Sequence, residues 1–142
     1  MANVIYNSFK QKIMDGSIDL DTDTIKVALV IASYTPDQDN HESFADITNE
    51  VSGTGYTAGG ATLSNVSITK DNTDNEGVFD ADDVTWSNST ITARGAVVYK
   101  DSGTPATSWL ICYIDFGSDY SSVAGDFKIT WNSEAIVNIG EA

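Results

Sequence analysis

The chain has 142 residues, which is long enough for one domain with a sizeable core that needs neither disulfides nor metal. Its 21 acidic and 7 basic residues give a formal net charge of −14. This charge repels phosphate backbones and anionic bilayers, and we therefore expect neither nucleic acid nor membrane as a partner. No apolar run approaches the length of a membrane span, and residues 1–14 do not resemble a secretory signal.

The first predicted element is a short helix. Val4, Ile5, Phe9 and Ile13 recur at helical spacing, which predicts a helix over about residues 4–14. Its apolar stripe has two interpretations. It could pack on the chain's own sheet, which we favour, or on a neighbouring subunit.

A strand and a polar loop follow the helix. Residues 24–31 (TIKVALVI) are mostly apolar, which predicts a strand covered on both faces. Residues 36–51 are polar and acidic, and we interpret them as an ordered surface loop with a helical turn around residues 44–47. The loop contains the single histidine, His41. One histidine without matching cysteines argues against a zinc site, and no serine lies in a nucleophile-elbow motif.

Residues 53–60 (GTGYTAGG) are unusually rich in glycine. They lack the Lys-Ser/Thr pair of a phosphate-binding loop and the spacing of a dinucleotide-binding turn. A bend or bulge is the better interpretation, with Tyr56 at an exposed tip.

Two strands are predicted next, over residues 61–69 and 78–86. In each, the alternation of apolar side chains changes parity partway along. We interpret the changes as β-bulges, near residues 64–65 in the first strand and at residues 82–83 in the second.

The turn between these strands, residues 71–77 (DNTDNEG), imitates the oxygen spacing of a calcium loop when Asp83 is included. The flanks are strand-like, however, and the first ligand would be the neutral Asn72. We therefore predict no cofactor and keep calcium as a less favoured alternative.

The best candidates for paired carboxylate catalysis are Asp80, Asp82 and Asp83. Nothing in the sequence indicates that their pKa values are raised, which that chemistry requires. We interpret them as a charged edge that prevents unwanted strand pairing. The protein is accordingly predicted not to be an enzyme.

The most informative stretch is a predicted hairpin of residues 90–100 and 109–116. The second run (WLICYIDF) is apolar on both pleat faces, which predicts a central strand with Cys112 as a buried hydrophobic residue. A loop is predicted over residues 117–125, an amphipathic strand over residues 126–131 and a closing strand over residues 135–139.

About seven or eight strands with closely spaced turns and one helix predict a mainly β fold. We expect residues 1–142 to form a single antiparallel β-sandwich domain with a short N-terminal helix. The pattern does not distinguish a jelly-roll from an immunoglobulin-like topology. Trp86 and Trp131 alternate with other apolar residues and are predicted to lie in the core. Three tyrosines in predicted loops are candidates for contact with a partner: Tyr34, Tyr56 and Tyr120.

Segments along almost the whole chain resemble a family of small structural proteins encoded by tailed bacteriophages. They are NSFKQKIMDGSIDLDTDTIKVALV, SYTPDQDNHESFADITNEVSGTGYTAGG, FDADDVTWSNSTITARGAVVYKD and IDFGSDYSSVAGDFKITWN. The resemblance implies a virion component present in many copies, and it carries over no functional residues.

Our first hypothesis is a capsid decoration or cement protein, made in the host cytoplasm and placed on the outer surface of the phage head. Its partners would be the major capsid protein and other copies of itself, for which a trimer suits a lattice threefold. The alternative is a tail or fibre-associated adhesin that contacts the host surface through Tyr34, Tyr56, Tyr120 and the acidic loops. An enzyme acting on polysaccharide is the least favoured hypothesis.

Overall fold

The computed structural model describes residues 2–141, which form eight β-strands, one α-helix and two short 3₁₀ turns. The strands are β1 (Val4–Ile5), β2 (Ile25–Val30), β3 (Ala61–Thr62), β4 (Ser67–Asp71), β5 (Glu76–Asp80), β6 (Val84–Lys100), β7 (Leu110–Ile129) and β8 (Val137–Ile139). Helix α1 spans Asn7–Met14, and the 3₁₀ turns span Phe44–Asp46 and Pro105–Thr107. The predicted helical turn in the polar loop is therefore confirmed.

The strands form two antiparallel sheets, ordered β1-β7-β6-β2-β3 and β4-β5-β8. Side chains of both sheets share one hydrophobic core, in which Phe79 of β5 and Val137 of β8 join the residues of the larger sheet. The predicted mainly β architecture with two antiparallel sheets and a short N-terminal helix is confirmed.

Strands β2 and β7 have the buried positions that the apolar runs predicted. Residues 27–30 and 110–113 are buried at every position, because both faces of these strands are covered. Cys112 is a buried free thiol, as predicted. Trp86 and Trp131 are also buried in the core.

Helix α1 begins three residues later than predicted. Val4 and Ile5 pair with Tyr113 and Cys112 as the short strand β1, because the edge of β7 offers them main-chain hydrogen bonds that a helix would forgo. The helix buries Phe9 in the chain's own core. No helix within residues 2–141 combines the length and the apolar character needed to cross a bilayer.

Strand β7 runs through the region that we predicted to be a loop. Residues 120–122 pair with residues 91–93 of β6, and the pairing continues to Ile129 opposite Val84. The register shifts where Asp115 faces Gly95 and Tyr120 faces Ala93, which leaves an irregular stretch of β7 between them. The prediction was wrong because most of these residues are small and polar. They extend a strand by backbone pairing without adding apolar side chains to the core.

Both changes of parity prove to be changes of sheet. Strand β3 belongs to the larger sheet and β4 to the smaller one, while β5 belongs to the smaller sheet and β6 to the larger one. The bulge interpretations are therefore wrong. The apolar side chains change parity because the chain passes from one sheet to the other, and the side that faces the core changes with it.

The two crossovers lie side by side and are held by Asp82. Its backbone N–H donates to the carbonyl of Ser64 at 3.0 Å, and its Oδ2 accepts from Asn65 Nδ2 at 2.6 Å. Its own carbonyl accepts from Trp131 Nε1 at 2.8 Å. These bonds explain why polar residues stand at positions where a continuous strand would have apolar ones.

Candidate interaction surface

Tyr34 lies inside the protein rather than on an accessible loop. It is 1% exposed, and its hydroxyl is 2.8 Å from the Tyr6 hydroxyl and 3.0 Å from His41 Nδ1. Burial raises the pKa of Tyr34 to about 12 and that of Tyr6 further above its ordinary value. Tyr34 therefore connects the polar loop to the residue before α1, and the prediction that it is free to contact a partner is wrong.

Tyr56 is half-buried, and its hydroxyl is used internally. It accepts the backbone N–H of Leu29 at 2.9 Å and donates to Glu50 Oε1 at 2.7 Å. The same carboxylate oxygen accepts the N–H of Gly59 at 2.6 Å. Tyr56 thus fastens the glycine-rich loop to β2, and it does not form the exposed tip that we predicted.

Tyr120 is exposed, unlike the other two tyrosines. It is 54% exposed and lies within β7, where its ring stands edge-on to Phe116 at 6.3 Å between centroids. Three residues further along the strand, Val123 is 82% exposed. We call Tyr120 and Val123 the β7 patch. Their odd separation along the strand directs the two side chains to opposite faces of β7, and each is an exposed apolar contact point.

Most of the acidic residues singled out from the sequence form hydrogen bonds or ion pairs within the fold. Asp83 accepts the backbone N–H of Trp131 at 3.1 Å and pairs with Lys128 at 3.1 Å. Asp80 has one buried carboxylate oxygen without a hydrogen-bond partner. In the calcium-like turn, Asp71 Oδ1 accepts the N–H groups of Thr73 and Asp74. Among residues 2–141, no three His, Cys, Asp or Glu side chains are grouped so that they could hold a metal ion.

The sequence did not predict a well-formed cleft that lies beside β7. A cleft of about 620 Å³ lies between β7 and the segment that follows it. Its apolar lining includes Phe116, Tyr120 and Ile136, and its acidic lining consists of Asp126 and Glu134. Its volume is within the range of about 300–1,000 Å³ that is usual for ligand sites. The aromatic pair in β7 was the available sequence signal, but the return of residues 130–138 beside it depends on tertiary packing.

An ion pair stands where β7 becomes irregular. Arg94 Nε donates to Asp115 Oδ1 at 2.9 Å, and the backbone N–H of Gly117 donates to the same oxygen at 3.0 Å. Burial alone would raise the pKa of Asp115, but these donors outweigh it and lower the pKa from 3.8 to about 2. The pair therefore stabilises the bend that precedes the β7 patch.

The Asp115 pair predicts a specific acid response. Because the carboxylate is stabilised only in the folded chain, its contribution is present above about pH 4 and is lost as the pH falls through about 2. Asp115→Asn should lower the free energy of unfolding by about 1 kcal/mol at pH 6, a figure reduced for solvent screening of the partly exposed Arg94. The deficit should shrink towards pH 2. Urea unfolding at several pH values measures it.

The exposed Asp74 provides the matched control for this measurement. Asp74→Asn removes the same charge from the β4–β5 turn, where its side chain makes no ion pair with the described residues. Its effect on unfolding should be small and nearly independent of pH. A deficit for Asp115→Asn that stays constant between pH 6 and pH 2 would contradict the assignment.

The arrangement defines a mainly β, two-sheet protein with an apolar patch and an acidic cleft along one long strand. No protein-family model, no curated protein and no solved structure matches the chain.

Proposed function

We propose that this chain is a non-enzymatic structural protein of a tailed-bacteriophage virion, and that it decorates the outer surface of the capsid. The sequence resemblance described above supports the phage assignment. The structural observation that carries the proposal is the presence of exposed apolar side chains on separate elements of one fold, at the β7 patch and at a second place. Such a molecule is suited to binding several protein neighbours at once.

The second of these surfaces lies at the end of α1. Met14 is 82% exposed, and Ile68 of β4 is 45% exposed. Ile68 borders a shallow depression that is also lined by Ile13 and Leu20. We call Met14 and Ile68 the helix patch. Its residues come from α1 and the smaller sheet, whereas the β7 patch belongs to the larger sheet.

Two modest contacts explain how such a protein would distinguish an assembled shell from free subunits. Each patch alone is small, and a single contact of this size binds weakly. When neighbouring subunits hold both patches, the second contact forms at a high effective concentration and the combined affinity rises steeply. The protein would therefore attach after the lattice has formed.

The net charge of −14 adds a requirement on the partner. A face of the major capsid protein that is rich in Lys and Arg would attract this chain and orient its approach. Other copies of the chain would meet at a lattice symmetry axis, and we retain a trimer on a threefold as the simplest arrangement.

The adhesin alternative depends on accessible tyrosines. Of Tyr34, Tyr56 and Tyr120, the first is buried and the hydroxyl of the second is bonded to Leu29 and Glu50. Only the third presents a mostly exposed ring. We therefore place the adhesin second to the decoration protein.

The copy number in purified virions tests the decoration role. We expect this chain in numbers comparable with the major capsid protein, measured by mass spectrometry against isotope-labelled peptide standards for both proteins. Shells assembled without the chain should bind it saturably when it is added back. Only a few copies per particle would contradict decoration and favour the tail or fibre alternative.

A further inference from the structure

Much of β7 has a free edge. Strand β1 pairs only with Tyr113 and Cys112, while β6 occupies the other side of β7 as far as Ile129. The backbone N–H of Asp115 donates to Asn3 Oδ1 at 2.9 Å, but beyond Gly117 no strand among residues 2–141 pairs with the side of β7 that faces away from β6. Alternate residues along this edge direct N–H and C=O groups away from the sheet, where an added strand can bond to them.

The acidic cleft runs along this edge. Four consecutive residues at the end of β7, 126–129, line it, and so does Asn3, which precedes β1 on this side of β7. Neighbouring residues of a strand point to opposite faces, and a cavity over one face would therefore meet only alternate residues. A cavity that meets all of them follows the strand edge. The cleft and the unpaired edge of β7 are thus parts of one surface, which we call the β7 edge site.

Charge determines which occupant suits the β7 edge site. The cleft is lined by the carboxylates of Asp126 and Glu134, which form no ion pair with any residue that the structure describes. The one basic lining residue, Lys128, is paired with Asp83 at 3.1 Å. A second copy of the chain would bring another net charge of −14, which opposes self-association here.

We propose that the β7 edge site binds an extended segment of another protein that carries Lys or Arg. The segment adds as a strand to β7, and its backbone groups bond to the edge. One apolar side chain enters the cleft beside Phe116 and Ile136, and a cationic side chain meets Asp126 and Glu134. The identity of the protein that carries this segment rests on the proposed function, under which it is the major capsid protein.

A synthetic peptide tests this in the isolated protein. The probe is a short, fluorescently labelled peptide of alternating valine and lysine with blocked ends. We expect saturable binding by fluorescence anisotropy. A peptide of equal charge with proline in place of valine should bind at least about tenfold more weakly, because it cannot pair as a strand.

Charge reversal locates the binding site. The double variant Asp126→Lys with Glu134→Lys should weaken peptide binding at least about tenfold. The control, Asp21→Lys with Asp74→Lys, makes the same change in net charge at two exposed positions outside the cleft lining. It should retain most of the affinity. Equal weakening in the two double variants would overturn the proposal, because it would mean that only overall charge matters.

Hydrogen exchange provides a readout of strand addition. Peptide binding should slow the exchange of backbone amides in residues 126–129 of β7 and leave those of the β4–β5 hairpin unchanged. Absence of added protection would overturn the proposal. A dimer whose edge amides are already protected without peptide would also overturn it, since a second copy would then occupy the site.

These outcomes are separable from the decoration role. A low copy number in virions would overturn decoration while leaving peptide binding by the isolated protein unaffected. Failure of the peptide to bind would overturn strand addition, and a high copy number would still support decoration.

Discussion

Gly60→Ala will lower the free energy of unfolding by about 4 kcal/mol, because the new methyl group has no space. Gly60 has a φ of +77°, and a Cβ built there would overlap the backbone carbonyl of Val27 in β2. The overlapping atoms are main chain and cannot rotate away. Strand β3 would have to separate from β2, or β2 would have to shift within the larger sheet.

Gly59 is the matched control for this substitution. Its φ is +91°, but a Cβ there would meet only the Tyr99 hydroxyl at 3.4 Å and Lys26 Nζ at 3.5 Å. Gly59→Ala should therefore cost only the left-handed backbone strain, about 1–2 kcal/mol. Urea unfolding of both variants measures the difference. Equal destabilisation would show that backbone strain, rather than close approach to β2, accounts for the effect at Gly60.

Phe9→Ala will destabilise the protein by about 3–4 kcal/mol, because it removes the ring that holds α1 to the core. Phe9 is buried in the core, and α1 contacts β7. The truncation loses the transfer free energy of the ring and leaves a cavity that the sheet cannot fill by relaxing. Each kcal/mol corresponds to about 2–4 °C in Tm for a chain of this size.

Met14→Ala provides the comparison on the same helix. Met14 belongs to the helix patch and is mostly exposed, and its truncation should change the stability of the isolated protein by less than about 0.5 kcal/mol. Thermal unfolding and hydrogen exchange of the α1 amides compare the two variants. A small effect at Phe9, equal to that at Met14, would contradict packing on the chain's own sheet and favour the neighbouring-subunit interpretation.

Under the proposed function, the same pair of variants separates folding from attachment. Phe9→Ala acts on the core, whereas Met14→Ala leaves the fold intact and removes an exposed apolar contact. A Met14 variant that folds normally but adds to shells less tightly would therefore connect the helix patch to lattice binding. This contrast rests on the burial of Phe9 and the exposure of Met14 on one eight-residue helix.

Of the three tyrosines predicted to contact a partner, one is accessible and two are not. Tyr120 was selected from the sequence and is exposed, although it lies in a strand instead of a loop. Tyr34 and Tyr56 occupied similar polar surroundings in the sequence and were selected for the same reason. Their hydroxyls bond to Tyr6, His41, Leu29 and Glu50, and two of these partners, Tyr6 and Leu29, lie far away along the chain. Local polarity could not reveal those partners.

The sequence by itself determined the features that depend on neighbouring residues. Apolar runs marked β2 and the start of β7, helical spacing marked the helix that buries Phe9, and Cys112 followed from the run around it. These features depend on side-chain volume and hydrophobicity within a few residues. The class of fold follows from them.

Only the tertiary structure decided how the strands divide between two sheets, how far β7 extends and where the acidic cleft lies. Each of these depends on backbone groups that meet across long stretches of chain. Ser122 pairs with Ile91, and Asp82 holds Ser64. Every residue except proline can form the same main-chain hydrogen bonds. The identities of small polar residues therefore do not indicate which strand they pair with.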